Sequence, residues 1–370
     1  MTAPAGTRTY LVTGVDEVAT AAAATIALQW DLPDAVVVSH RIEIGTRRLH
    51  RVISDVTGVL ERESLDLAHA CTSCAIREDI VPTLRRLAEL DRWAAIVAHL
   101  PLTTEALQVC RAVGLDDDGP VGAAVRVAAV IAALDGPSLV GTLTSDALLA
   151  ELGRHTAEDD RRGLAETAGA LVEYADVVTV HGDADDEALD LVRALARPSA
   201  VVAADGEAVP TALLVDGLHD HRETEAWVSE TRSAALPPTA SPAVWRLDLR
   251  SNRPFHPDRL HAHLALIGNG PHRSRGCFWL PTRPGQAFGW DGAGGQVSIG
   301  ALGSWGRSRV HTRLVVTGLC SLTSEAERDA IRSAFERSLL TDAELGPHGP
   351  SWNRPSDGFE PWLGDVRFAA

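Results

Sequence analysis

The sequence predicts an α/β chain, a doubly wound and mostly parallel sheet followed by a smaller α+β domain. Three observations predict it. Short apolar runs alternate with helix-period segments as far as Ala203, and strands separated by helices build a parallel sheet covered on both faces. Ser233 to Pro242, rich in Pro, Ala, Ser and Thr, then breaks that alternation and reads as a linker. Beyond it, strands and helices follow in the order of a compact two-layer unit.

The first strand is Tyr10 to Thr13, Gly14 ends it, and Val18 to Trp30 is an Ala-rich helix. Further strands are expected at Ala35 to Ser39, Ala94 to Ala98, Val127 to Leu134, Val177 to Val180 and Ala200 to Ala203. Between them, apolar positions recur at helical spacing over Ile76 to Leu90, Thr104 to Val113, Arg161 to Tyr174 and Asp185 to Leu195. The first domain is therefore 1–232, with 233–242 as linker. In the second, 243–345, the pattern gives a strand at Val244 to Leu249 and a helix at Pro257 to Ile267. Strands around Cys277 to Leu280, Gln296 to Ile299 and Thr312 to Thr317 and a helix at Ser324 to Leu339 complete it. The remainder, 346–370, carries Pro, Gly and Trp without periodicity and is expected to be irregular.

Strand, tight turn and helix at the N-terminus arrive in P-loop order, but the working side chains are missing. A phosphate cradle G-x-x-x-x-G-K-[ST] needs a second glycine for close backbone approach, a lysine for the β and γ phosphates and a hydroxyl for magnesium. At those positions stand Ala19, Thr20 and Ala21, and no lysine occurs anywhere in the chain. Asp16 and Glu17 in the turn add carboxylates that repel a triphosphate. The scaffold is P-loop-NTPase-like and its nucleotide site is degenerate.

Composition narrows the setting. No apolar run approaches the ~20 residues of a membrane span, and the longest, Val121 to Leu134, is broken by Arg126. The N-terminus has neither a basic n-region nor an apolar h-region, so a cytoplasmic protein without membrane contact is expected. Five cysteines do not make a disulfide framework and fit a reducing compartment. The net charge of −16 is uneven, since Ser241 to Cys320 holds ten arginines against Asp248, Asp258 and Asp291. One face of the second domain is thereby a candidate phosphate-facing surface, scattered solvated arginines being the alternative.

Four pieces together resemble the CobW-like family of P-loop GTPases and metallochaperones over nearly the full length. They are Leu11-Val12-Thr13-Gly14; Cys71-Thr72-Ser73-Cys74 with Arg77 and Asp79; Ala175-Asp176-Val177-Val178; and Arg246-Leu247-Asp248 through Arg273-Ser274-Arg275-Gly276-Cys277-Phe278-Trp279-Leu280. The resemblance implies a cysteine loop of the form C-x-C-C, whose middle cysteine is Ser73 here, and a base-reading N-K-x-D, of which only Asp183 is kept. Where the family carries carboxylates after the second and third strands, this chain has His40 and His99.

Cys71 and Cys74 at C-x-x-C spacing suit tetrahedral zinc, with His69, His40 and His99 as candidates to complete the shell. A redox dithiol shares that spacing. Cys110, Cys277 and Cys320 read as packing residues, His219-Asp220-His221 and His261-x-His263 as solvated faces, and Trp279, Trp290 and Trp305 as core or hairpin aromatics. No G-x-S-x-G elbow supports a hydrolase triad.

The resemblance to actinobacterial members with an eroded P-loop implies a non-hydrolysing, zinc-linked recruitment protein acting in ribosome hibernation under zinc limitation. Its implied partners are the small ribosomal subunit and a hibernation-promoting protein, and neither GTP nor magnesium is expected as cofactor. Arg253, Arg259, Arg273 and Arg275 are the candidate partner-binding, RNA-facing residues. The alternative is a GTP-dependent zinc metallochaperone.

Overall fold

The computed structural model describes residues 6–16, 18–43, 45–114, 124–157, 159–204, 217–346 and 352–366. The chain divides into two compact units, Met1–Leu139 with Ala147–Trp227, and Val140–Asp146 with Val228–Ala370.

The first unit is built on an eight-stranded sheet. Its strands are β1 (Thr7–Gly14), β2 (Ala35–Ile42), β3 (Arg48–Asp55), β4 (Gly58–Asp66), β5 (Ala95–His99), β6 (Val125–Asp135), β7 (Val177–His181) and β8 (Val201–Ala203). They lie in the order β4-β3-β2-β5-β1-β6-β7-β8. Every pairing from β2 to β8 is parallel, whereas β3 and β4 join as an antiparallel extension. The helix Val18–Asp31 lays Ala21, Ala24 and Leu28 on Tyr10, Val12, Val37, Val97 and Ile131. Its alanines carry no side-chain entropy cost and let helix and sheet approach closely. Helices Val81–Glu89, Ala106–Gly114 and Leu164–Tyr174 pack against β5, β6 and β1.

The β3–β4 hairpin was not expected from the sequence. β3 alternates correctly, with Leu49, Arg51, Ile53 and Asp55 on the buried face, but two of those four are charged. β4 is an exposed edge strand full of charge, which blunts edge pairing and hides the strand from a hydrophobicity reading. The expected Ile76 to Leu90 helix opens instead with a π turn, Ile76–Ile80. Pro82, one residue beyond it after Val81, has no N–H to continue the ladder, which accounts for the local unwinding.

The second unit is a five-stranded antiparallel sheet in the order β12-β11-β10-β13-β9. Its strands are β9 (Val244–Ser251), β10 (His272–Phe278), β11 (Gln286–Ala293), β12 (Gln296–Ser304) and β13 (Thr312–Leu319). Helices Pro257–Gly268 and Glu325–Ser338 pack on each other, and Phe255, Leu260, Ile331 and Phe335 join Phe278, Phe288, Trp290 and Leu314 in one core. Ser324 caps the second helix and Glu327 returns the bond, a capping box legible as S-x-x-E.

β11 was missed because Gly289, Asp291 and Gly292 have poor strand propensity. The glycine is required by the neighbour: a Cβ on Gly292 would stand 2.4 Å from Ser274 Oγ. The tail is not wholly irregular. Glu360–Leu363 is helical, and Asp357, buried, accepts hydrogen bonds from Thr282 Oγ1 at 2.7 Å and Arg283 Nε at 2.8 Å.

Candidate functional site

β1, β2 and β5 end together, and strand order reverses about β1, so their C-terminal ends open on the usual ligand crevice of such sheets. A cavity of about 580 Å³ lies there, lined among others by Gly14, Ser39, His40, Arg51, His99 and Arg154. His40 and His99, expected at strand ends, do converge on this one cleft.

The turn after β1 is organised by a carboxylate. Asp16 is 3% exposed; its Oδ2 accepts the Asp135 backbone N–H at 2.8 Å and its Oδ1 lies 3.5 Å from Arg154. A buried acid therefore occupies the turn where a cradle presents donors to phosphate. Gly14 is glycine for a packing reason, since a Cβ there would stand 2.8 Å from the Ala133 carbonyl of β6. Glu17, the second expected carboxylate, lies outside the described residues.

His40 is fully buried at its side chain, with Nε2 2.9 Å from Asp79 Oδ2 and Nδ1 without a hydrogen-bond partner. Burial holds its pKa below the ordinary histidine value against the pull of Asp79. Asp79 in turn pairs with Arg51, which also reaches Glu61 at 3.0 Å and Glu63 at 2.5 Å. His99 Nδ1 is 2.8 Å from Ser39 Oγ, and burial, helped by the charge of His40, pushes its pKa down to about 4. A hydroxyl beside an imidazole resembles a nucleophile and its base, but a base held so far below neutrality deprotonates a hydroxyl poorly.

The cysteine loop sits on the helical turn Thr72–Ala75. Cys71 is extended and caps that turn, its Sγ accepting the Cys74 N–H at 3.4 Å. Cys74 is 5% exposed, its thiol pKa is raised by burial first and by Cys71 second, and Arg77 approaches its sulfur at 3.7 Å.

Expectation and structure part over the metal shell. Among the described residues, no three of Cys71, Cys74, His69, His40 and His99 bring ligand atoms within 4.8 Å of one another. His69 is exposed, while the imidazoles of His40 and His99 are engaged by Asp79 and Ser39. The set that does meet this criterion is Cys110, His219 and His221, which the sequence reading assigned to core and solvated surface.

The candidate partner arginines are largely neutralised within their own unit. Arg273 is 3% exposed and pairs with Asp291; Arg275, opposite Asp291 in the β10–β11 register, reaches it at 3.4 Å and Glu230 at 3.2 Å. Residues two apart on a strand share a face, so both converge on the same carboxylate. Arg253 pairs with Asp342 at 2.8 Å and Arg259 with Glu344 at 2.7 Å, both more exposed. Arg307 and Arg309 are exposed after β12.

Residues 244–339, which hold the second sheet and both of its packed helices, match the cobalamin synthesis protein cobW C-terminal domain. The chain is CobW-like. It is 28% identical over 362 residues to a zinc chaperone of Mycobacterium tuberculosis, covering 89% of this chain and 88% of that protein. To the zinc-regulated GTPase metalloprotein activator 1 of Dictyostelium discoideum, this CobW-like chain is 21% identical over 257 residues, 65% of its length and 54% of the relative's. The crystal structure of the Zn(II)-bound YjiA GTPase from E. coli is 16% identical and covers 90% of this chain and 99% of its own, with a TM-score of 0.35, too loose a likeness to carry an argument.

Proposed function

We propose that this CobW-like protein is a zinc-linked recruitment factor that does not hydrolyse nucleoside triphosphates. It acts in ribosome hibernation under zinc limitation by binding the small ribosomal subunit and a hibernation-promoting protein. The observation that carries the first half is Asp16, a buried carboxylate hydrogen-bonded into the β1 turn, in a chain without lysine. Hydrolysis depends on positive charge and magnesium around the transferring phosphoryl group, and the cradle positions themselves, Ala19, Thr20 and Ala21, carry neither the lysine nor the magnesium-binding hydroxyl. Zinc enters through the two relatives whose names carry it. In this reading Cys71 and Cys74 hold the ion, and His69, exposed beside them, swings in to complete the shell.

The ribosomal half rests on the family resemblance and on the arginine excess of the second unit. Because Arg273 and Arg275 are tied to Asp291, the surface available to phosphate is drawn from Arg253, Arg259, Arg307 and Arg309. Co-sedimentation with ribosomes from zinc-limited cells tests it: the association is expected to fall steeply with salt and with charge reversal at Arg307 and Arg309. Salt-insensitive or absent association would remove the ribosome from the proposal.

The relatives' names favour a second reading, a GTP-dependent zinc metallochaperone. Turnover and equilibrium binding of labelled GTP at millimolar magnesium separate the two, since hydrolysis above background contradicts the first and the absence of binding contradicts the second.

A further inference from the structure

We propose that Cys110, His219 and His221 form a binding site for a zinc-class divalent cation, separate from the cleft and from the Cys71–Cys74 loop. Their ligand atoms all lie within 4.8 Å of one another, although the residues come from distant stretches of chain. Cys110 is buried on the helix Ala106–Gly114. His219 and His221 arrive on the segment entering the helix His221–Val228, which is fixed to β6 by the Leu218 and His219 N–H groups donating to the Ala128 carbonyl at 2.7 and 3.0 Å.

The second observation is the orientation of His219. Its side chain is 3% exposed, and Nδ1 lies 2.9 Å from Asp176 Oδ2. That bond fixes the ring so that Nε2, which has no hydrogen-bond partner, is the nitrogen left for a ligand. A buried ring nitrogen without a hydrogen-bond partner is costly, and a cation that takes the place of its proton satisfies it. Asp176 is itself immobilised by the Val130 N–H at 2.7 Å and by Arg197. Carboxylate, imidazole and metal in that sequence are the usual outer-shell arrangement of a zinc histidine.

His221 supplies the second imidazole; its Nδ1 is 3.0 Å from the Tyr174 hydroxyl and its side chain is 35% exposed, which gives an entry path. One cysteine sulfur and two imidazole nitrogens as ligands select borderline cations such as zinc over magnesium or calcium. Three protein ligands leave a fourth position for water, the open arrangement from which an ion can be exchanged.

The test uses the full-length Cys71→Ala/Cys74→Ala protein and cobalt(II), whose thiolate charge-transfer absorption reports sulfur ligation. One cobalt per chain with that absorption is expected, and Cys110→Ser should abolish the band. His221→Ala, whose side chain is 35% exposed, should weaken the apparent Kd at least roughly tenfold, the lower end of what even an outer-shell loss costs. The proposal is overturned if this background binds no cobalt, if the band survives Cys110→Ser, or if His221→Ala leaves affinity unchanged. Since Cys71 and Cys74 are absent from the background, none of these failures bears on zinc at that pair.

Discussion

His99 ties the stability of the first unit to pH in a way that can be worked out. Its pKa is pushed from 6.5 to about 4, by burial first and by the neighbouring charge of His40 second, and its side chain lies in a residue only 7% exposed. The folded protein keeps the ring neutral where the unfolded chain protonates it. The contribution is therefore fully present above the unfolded value and is lost as pH falls toward the folded one. At ~1.4 kcal/mol per unit the complete loss is about 3 kcal/mol, of which about 2 kcal/mol is gone near pH 5. Replacing the ring removes this dependence, while other acid-sensitive groups remain common to both proteins. Urea denaturation of the natural protein and His99→Gln at about pH 7 and about pH 5 should show the stability gap between them narrowing by about 2 kcal/mol. A gap that stays constant across that range would mean the imidazole titrates normally in the fold, and the buried placement beside Ser39 would be wrong.

Asp79→Ala leaves His40 without its hydrogen-bond partner and removes one of three carboxylates from Arg51, so a loss of about 2–4 kcal/mol is expected in urea denaturation, below the full cost of an orphaned buried charge because Glu61 and Glu63 remain. Gly276→Ala places a Cβ 1.9 Å from the Arg313 carbonyl of the paired strand, and a loss of more than about 3 kcal/mol, with slowed or failed refolding of the second unit, is expected by circular dichroism. Asp357→Ala strips the buried Arg283 of its carboxylate and should make the segment around Glu360–Leu363 sensitive to limited proteolysis under conditions where the natural protein resists it. Zinc analysis by mass spectrometry should show Cys71→Ala/Cys74→Ala losing one equivalent of bound zinc, while His40→Ala and His99→Ala keep the count, because those rings are committed to Asp79 and Ser39.

Backbone-local properties were legible in the sequence. The β1 strand and Ala-rich helix, the alternation through β8, the helix beginning at Ser324 and the absence of lysine from the phosphate turn all follow from residue type and spacing within a few positions. Strand-end placement was also enough to bring His40 and His99 to one cleft, since parallel strands deliver their C-terminal ends to a common edge. What the sequence hid were elements and contacts whose polar residues find partners far along the chain. β3, two of whose four core-facing residues are charged, went unassigned because the partner of Arg51, Asp79, lies on a distant helix, and Arg273 read as a surface cation although Asp291 of the next strand neutralises it. Cys110 looked like core and His219 like a solvated turn, and only the packing of the helix Ala106–Gly114 against the segment held to β6 faces them toward each other. Hydrophobic periodicity records which side of an element is buried, but it carries no information about which distant polar group will be waiting there, and that choice was made by tertiary structure alone.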